Sequence, residues 1–395
     1  MDEVVAAVGA IAEYGAWPFE REDGERWLRI HPLDRMLAAL DEGAIVGGAG
    51  SFAFELTVPG AVVPTAGVTV VGVLPTHRRR GVLTAMMRAQ LDDVRERGEP
   101  LAALWASDER IYGRFGYGLA QLVAEMRLPR ERSAFARPLE RRGRVRTVSG
   151  EQALELFPPV WEALRPRVPG MLSRTRAWWE ERVVRDDPAW RPPGAGPKRF
   201  AVLDLDGETA GYAVYRHAPK WEEGAPQGSL NAIEVLATSA QAEAELWRYL
   251  CDIEWVATIT ARLLPLDHTL LLLLAEPRQM RLRVGDGLWV RLVDVGEALR
   301  RRAYAADGAV VLDVRDAFCP WNEGRWKLAD GEARRTDEEA ELACDVSGLG
   351  SVYLGWFRFE QLVRAGRAEE LAPGAAARAD ALFAWPRAPW CPEVF

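Results

Sequence analysis

The feature that most constrains this chain lies between residues 68 and 97. Val68–Val73 is a run rich in β-branched residues, too apolar for a surface strand. The loop Leu74-Pro75-Thr76-His77-Arg78-Arg79-Arg80 follows. In Gly81–Arg97, the apolar residues Val82, Leu83, Met86, Met87, Leu91 and Val94 then recur at three- and four-residue spacing. That spacing predicts an amphipathic helix. A buried strand therefore runs through three arginines into a helix that opens on glycine. The first amides of a helix point outward without intrahelical partners, with the positive end of the dipole behind them. A glycine lets phosphate oxygens approach that backbone, and arginines add charge-assisted bonds. Such a segment suits a pyrophosphate. A plain basic helix start has the same letters, so the context has to decide.

The first third reads as α/β throughout. Val4–Ile11 predicts a helix and Asp34–Leu40 part of another; Ala44–Ala53 and Leu56–Val58 read as strands. Leu101–Trp105 predicts a short buried strand, Asp108–Phe115 a short helix, and Leu119–Leu128 an alternating strand. Ala134–Arg146 is charged and without periodicity, as a linker would be. A second α/β region runs from Val148 to about Arg283, with a helix around Gln152–Leu164. It also holds a hairpin, Phe200–Asp204 and Thr209–Tyr215, turned at Asp206-Gly207. A weak internal repeat aligns Val73–Gly81 with Val235–Glu243, each between an apolar strand and a helix. The second copy has lost every arginine and the glycine, so it keeps the fold and not the anion site. From about Gly287 a third, α+β pattern begins: strands Leu288–Val295, Val310–Val314, Gly324–Leu328 and Leu342–Val346, with helices at Glu297–Ala303, Arg358–Arg364 and Ala375–Ala384.

Composition excludes several function classes. The chain has 395 residues, 49% of them hydrophobic and 27% charged, as in a soluble protein of two or three domains. No apolar run approaches a membrane span, and Met1-Asp2-Glu3 lacks the basic start of a secretion signal, so a cytoplasmic location is expected. A net charge of -8 argues against nucleic acid as partner. The four cysteines form no C-x-x-C pair and the four histidines no metal-ligand spacing, so neither a metal nor a disulfide framework is expected.

Three motifs in order supply the context: Pro75-Thr76-His77-Arg78-Arg79-Arg80-Gly81, then Leu104-Trp105-Ala106-Ser107, then Ile111-Tyr112-Gly113-Arg114-Phe115-Gly116-Tyr117-Gly118. Together they resemble the enhanced intracellular survival (Eis) family within the GNAT N-acetyltransferase superfamily. The resemblance covers the N-terminal third most closely; Tyr353-Leu354-Gly355 is a later echo. It implies an α+β chain of tandem acetyltransferase-like (GNAT) α/β domains followed by a sterol-carrier-like α+β domain. The expected limits are 1–143 for the catalytic domain, 144–286 for a degenerate second copy, and 287–395 for a C-terminal domain whose end enters the active site. The first strand typical of the fold is not seen ahead of the first helix; either it is missing or the true start lies upstream.

The same resemblance implies acetyl-CoA as co-substrate and a primary amine as acceptor, either an aminoglycoside-type small molecule or a lysine side chain. It assigns the backbone of Val71, Gly72 and Val73 to the pantetheine arm, with Gly72 suited to a bulge. The pyrophosphate falls to Arg78, Arg79, Arg80, Gly81, Val82, Leu83 and Thr84, where Leu83 replaces the usual small residue. Ser107 and Asp108 would lie beside the cofactor. Tyr112 would be the general acid: a phenol of pKa about 10 stays protonated at neutral pH and can donate to a leaving thiolate. Tyr117 reads as packing. The carboxylate of Phe395 would serve as base for the amine, although a C-terminal carboxyl of pKa about 3.5 acts by orienting the ammonium or through a water. Pro386, Pro389 and Pro392 stiffen the tail that carries it. The family's acidic residue near the end corresponds to Glu393, which is not adjacent to the terminus. Trp17, Phe19 and Trp27 are candidate pocket residues, and a homo-oligomer, a hexamer by resemblance, is expected. The alternative is a CoA- or lipid-binding protein without turnover. A nucleotide-binding reading lacks the G-K-[S/T] of a P-loop.

Overall fold

The structure is a computed structural model that describes residues 21–395. The helix expected over Val4–Ile11, and Trp17 and Phe19, lie outside the described residues. The chain divides into two compact units. Of the described residues, one comprises 21–121, 168–173 and 287–395; the other comprises 122–167 and 174–286.

The first unit is built on a six-stranded sheet. Its N-terminal strands are β1 (Met36–Asp41), β2 (Ala44–Val58) and β3 (Ala61–Val73), followed by β4 (Leu101–Trp105) and β5 (Gly118–Leu119). The order is β1-β2-β3-β4, then Leu288–Leu292, then β5. The helix expected over Asp34–Leu40 is instead a 3-10 turn, Leu33–Arg35, leading into β1. The reason is the turn that follows. Glu42 and Gly43 both take positive φ, the geometry of a tight hairpin, and pair Met36–Asp41 with the glycine-rich start of β2. β2 and β3 form a long antiparallel hairpin, continuous where two strands were expected in β2. The helix Val82–Glu96 connects β3 to β4, which run parallel. Its buried face of Met87, Leu91 and Val94 packs with Ala66, Val68 and Leu104, as its periodicity predicts.

Two strands join other sheets than their neighbours in sequence suggest. The expected strand Leu119–Leu128 breaks at Ala120-Gln121: Gly118–Leu119 stays in the first sheet, and Leu122–Pro129 enters the sheet of the second unit. Leu288–Leu292, expected in the C-terminal α+β region, inserts antiparallel between β4 and β5. The rest of that region forms a five-stranded sheet. Its helices are Val295–Arg301, Val346–Val352, Phe359–Arg364 and Ala375–Phe383. Val346–Val352 has no counterpart in the sequence reading.

The second unit is a seven-stranded sheet carrying the helices Gly150–Leu164 and Ala240–Asp252. Its hairpin Lys198–Leu205/Glu208–Ala218 turns at Asp206-Gly207, both with positive φ, as expected. The end of the presumed linker is an edge strand, Arg144–Val148. At the repeat, strand Ser229–Ala237 leads into helix Ala240–Asp252, and the Ser239 hydroxyl accepts from the Ala242 amide at 3.2 Å. A side chain thus caps the helix start that in the first copy opens on Gly81.

His31 ties the N-terminal helix Arg21–Trp27 to the first sheet. It is 1% exposed, stacks on Trp27 with centroids 3.9 Å apart, and meets the edge of Phe52. Burial lowers its pKa to about 4, so it is held neutral. The unfolded chain would take up a proton near pH 6.5, so this stabilisation is complete above that pH and is lost as pH falls toward 4. The loss amounts to about 3 kcal/mol at most. His31→Phe is expected to flatten the acid limb of Tm between pH 6.5 and 4.5. A Tm profile as steep as the parent's would contradict it.

Candidate active site

β3 and β4 are paired only from Thr65/Leu101 to Gly67/Ala103. Beyond Gly67, β3 continues for six residues to Val73 with no strand partner on that side among the described residues, so β3 and β4 part there. On the other side β3 follows β2, with an irregularity: Gly48 faces Gly72 and Gly50 faces Thr69, leaving Val70 and Val71 opposite Ala49. The bulge expected at Gly72 therefore falls at Val70, whose φ is 46°. A β-branched residue in the left-handed region is strained, and such backbone collects at functional sites. Paired Gly72 has no need of that freedom.

The loop after β3 is held by the bond from Leu74 N to Val46 O and by a short turn, Pro75–His77. Asp41 at the end of β1 receives His77 Nε2 and Arg80 Nη2, each at 3.1 Å. Thr76 Oγ1 lies 2.8 Å from His77 Nδ1, which sets the imidazole's orientation. Arg79 and Gly81 both have positive φ, and no side chain among the described residues caps the helix at Gly81. The amides of Val82, Leu83 and Thr84 thus open beside Arg78, Arg79 and Arg80, all three on the surface.

Tyr112 closes the helix Glu109–Tyr112. Asp108 caps that helix, accepting from Arg110 N at 3.0 Å and pairing with the Arg110 guanidinium at 2.7 Å. These bonds hold its carboxyl at about 2. Tyr112 is 6% exposed and packs with Ala66, Val68, Leu104 and Tyr117. Burial raises its phenol pKa, and a hydrogen bond with Ser107 pulls weakly the other way. The hydroxyl is therefore a proton donor at neutral pH. Tyr117 is completely buried, its pKa raised by burial, and its hydroxyl has no hydrogen-bond partner among the described residues.

The C-terminal tail is fixed along its length. Trp390 N donates to Pro169 O at 2.7 Å, Cys391 N to Gln121 Oε1 at 3.1 Å, and Ala388, Trp390, Cys391 and Glu393 are buried. The Phe395 ring rests against Phe54, with centroids 5.1 Å apart, and near Phe52 at 6.4 Å. Its Cε2 lies 3.2 Å from where a Cβ on Gly67 would sit, and such a Cβ would also run into Phe54. Gly67 is the last β3 residue paired with β4. Ala66 and Val68 on either side of it face the Tyr112 cluster. Side chains alternate along a strand, so Tyr112 and Phe395 lie on opposite faces of the sheet, at the point where β3 and β4 separate.

Phe52 and Phe54, which seat the terminal residue, escaped the sequence reading. Their i, i+2 spacing with Gly50 marks one face of a strand, but nothing in the letters says that the chain end returns to it. Among the described residues no group of His, Cys, Asp and Glu could hold a metal ion, and no helix is long and apolar enough to cross a membrane.

Residues 6–120 and 170–292 each match an acetyltransferase (GNAT) domain family, and residues 295–392 match a sterol carrier protein domain family. The N-acetyltransferase Eis of Mycobacterium tuberculosis is 36% identical over 383 residues, spanning 92% of this chain and 90% of its own. The chain belongs to the Eis family of GNAT N-acetyltransferases. An uncharacterized N-acetyltransferase of Streptomyces avermitilis is 44% identical over 401 residues, spanning all of this chain and 96% of its own. The crystal structure of Eis1 from Mycobacterium abscessus superposes with a TM-score of 0.86 at 33% identity, covering 100% of this chain and 98% of that one. This Eis-family chain is thus an acetyl-CoA-dependent N-acetyltransferase. Its tandem GNAT domains and sterol-carrier-like domain are those the motifs implied.

Proposed function

We propose that the enzyme transfers acetyl from acetyl-CoA directly to a primary amine of an aminoglycoside-type small molecule or of a lysine side chain. The amine nitrogen attacks the thioester carbon, the carbon–sulfur bond breaks, and Tyr112 gives its proton to the departing sulfur. The Phe395 carboxylate takes the ammonium proton, directly or through a water. What carries this reading is the arrangement at Gly67: a buried protonated phenol on one face of the sheet, the terminal residue on the other, and parted strands between them.

The cofactor assignment follows the same logic. The backbone of Val71, Gly72 and Val73, unpaired toward β4, would bond the pantetheine arm. Arg78, Arg79 and Arg80 with the opening amides of Gly81, Val82, Leu83 and Thr84 would bind the pyrophosphate. Ser107 would lie beside the thioester through its bond to Tyr112, while Asp108 would act through the helix it caps. The double variant Arg79→Ala/Arg80→Ala should raise the KM for acetyl-CoA by roughly tenfold to a hundredfold with kcat nearly unchanged, as loss of charged hydrogen bonds implies. An unchanged KM would remove the pyrophosphate assignment.

The domain limits 1–143, 144–286 and 287–395, a hexameric assembly and a cytoplasmic location belong to the same proposal. The deciding experiment is thiol release from acetyl-CoA in the presence of kanamycin-type amines and lysine peptides, with binding of acetyl-CoA measured in parallel. Acetylation of any of these amines supports the enzyme reading. Tight CoA binding with no acetylation across the panel would favour a binding protein instead.

A further inference from the structure

We propose that Arg291 is a positioning residue for Tyr112, acting through the turn Gly113–Gly118 that follows it; this rests on the reading of Tyr112 as the acid. Arg291 lies on the strand Leu288–Leu292, and its side chain is fully buried. Its orientation is fixed by an ion pair to Asp316 Oδ2 at 2.6 Å and a bond to Leu292 O at 3.1 Å. Asp316 is itself held by Asn322 Nδ2 at 2.8 Å and by Cys319 N at 2.9 Å.

The guanidinium lies against the turn at Gly116. Its Cζ and Nε are 2.7 and 2.8 Å from the place a Cβ on Gly116 would occupy, and Val346 Cγ1 is 2.8 Å from the same place. Gly116 has φ 84°, so only glycine answers both demands. From there the link to Tyr112 is short. Gly116 N bonds to Gly113 O at 3.0 Å, Tyr117 N bonds to Tyr112 O at 3.3 Å, and the Tyr117 ring meets Tyr112 edge-on at 6.0 Å. Ser347 and Ser351, on the helix Val346–Val352, crowd the backbone of Gly118. The near contacts at Gly116 and Gly118 thus come from chain beyond residue 287.

Stability does not account for the charge. Removing an ion pair this deeply from water has a desolvation cost that the pair's attraction often fails to recover, and apolar replacements are frequently as stable. A planar cation with two fixed bonds does something a leucine would not: it defines where the backbone above it lies. An error of about 1 Å in a reacting group costs on the order of a hundredfold in rate.

The test is a cycle in the full-length enzyme. Arg291→Met/Asp316→Asn removes both charges together, so neither is stranded. The expected result is cooperative melting near the parent, acetyl-CoA KM within about threefold, and kcat lowered by roughly tenfold to a hundredfold. In a Tyr112→Phe background the same pair of substitutions should lower kcat no further, because the acid it positions is gone. Equal loss in both backgrounds, full activity, or failure to melt cooperatively would each overturn the proposal in favour of a structural role. If Tyr112→Phe alone keeps full kcat, it is the reading of Tyr112 that fails, whatever the pair does.

Discussion

Tyr112→Phe is expected to lower kcat by roughly a hundredfold or more while the KM for acetyl-CoA changes by less than about threefold. The substitution removes one oxygen from a side chain that is almost wholly enclosed, so the cluster with Ala66, Val68 and Tyr117 keeps its packing. What disappears is the proton donor. With burial holding the phenol pKa above its ordinary value, Tyr112 stays protonated through neutral pH, and the parent's kcat should show no loss of this acid across the neutral range. The variant's loss should shrink with acyl donors whose leaving thiols are more acidic, because those thiolates depart without help. The comparison needs only initial rates with two thioesters. A variant as fast as the parent on acetyl-CoA would mean that the sulfur leaves unprotonated or takes its proton from water.

The second large effect is expected at the other face. Deleting Phe395 should reduce kcat/KM by about a hundredfold or more, since it moves the terminal carboxylate back by roughly 3.5 Å and removes the ring that anchors it. The new terminus would be Val394, which is half exposed. Extending the chain beyond Phe395 by a few residues is the cleaner experiment. The ring can still rest on Phe54 and Gly67, but the carboxylate becomes a neutral peptide. A comparable loss in the extended enzyme, against a parent carrying any tag at its N-terminus, assigns the effect to the charge. An extended enzyme with full activity would show that the ring, and not the carboxylate, matters.

Much of the candidate site was legible because its segments are local in sequence. The arginine loop, the helix from Gly81 and the segment around Tyr112 each announce themselves within ten residues. The hairpin at Asp206-Gly207 was equally plain, since its turn chemistry admits few alternatives. Failures came where distant chain decides. Met36–Asp41 has letters that suit a helix, and the glycine-rich partner across the Glu42-Gly43 turn makes it a strand. The break at Ala120-Gln121 is invisible because apolar alternation continues through it; Gln121 is held by Gly287, Leu288 and Cys391, all far away in sequence. Val346–Val352, with glycines at 348 and 350, has poor helix propensity and forms because close packing on Gly118 and the strand Leu288–Leu292 needs small residues there. The strained bulge at Val70 rather than Gly72 is of the same kind: register against β2, not residue type, sets it.

The insertion of Leu288–Leu292 between β4 and β5 has a consequence for how the enzyme comes into being. Leu101 waits for Leu292, and Gly118 for Val290, so this sheet cannot close while the chain is still emerging from the ribosome before residue 292. Until then β4 and β5 would each present an open edge, the surface on which strands of other chains pair. Pairings so distant along the chain form late and slowly. Closure of the first sheet is therefore settled only once the chain has been made through residue 292 and that strand has found its way back between β4 and β5.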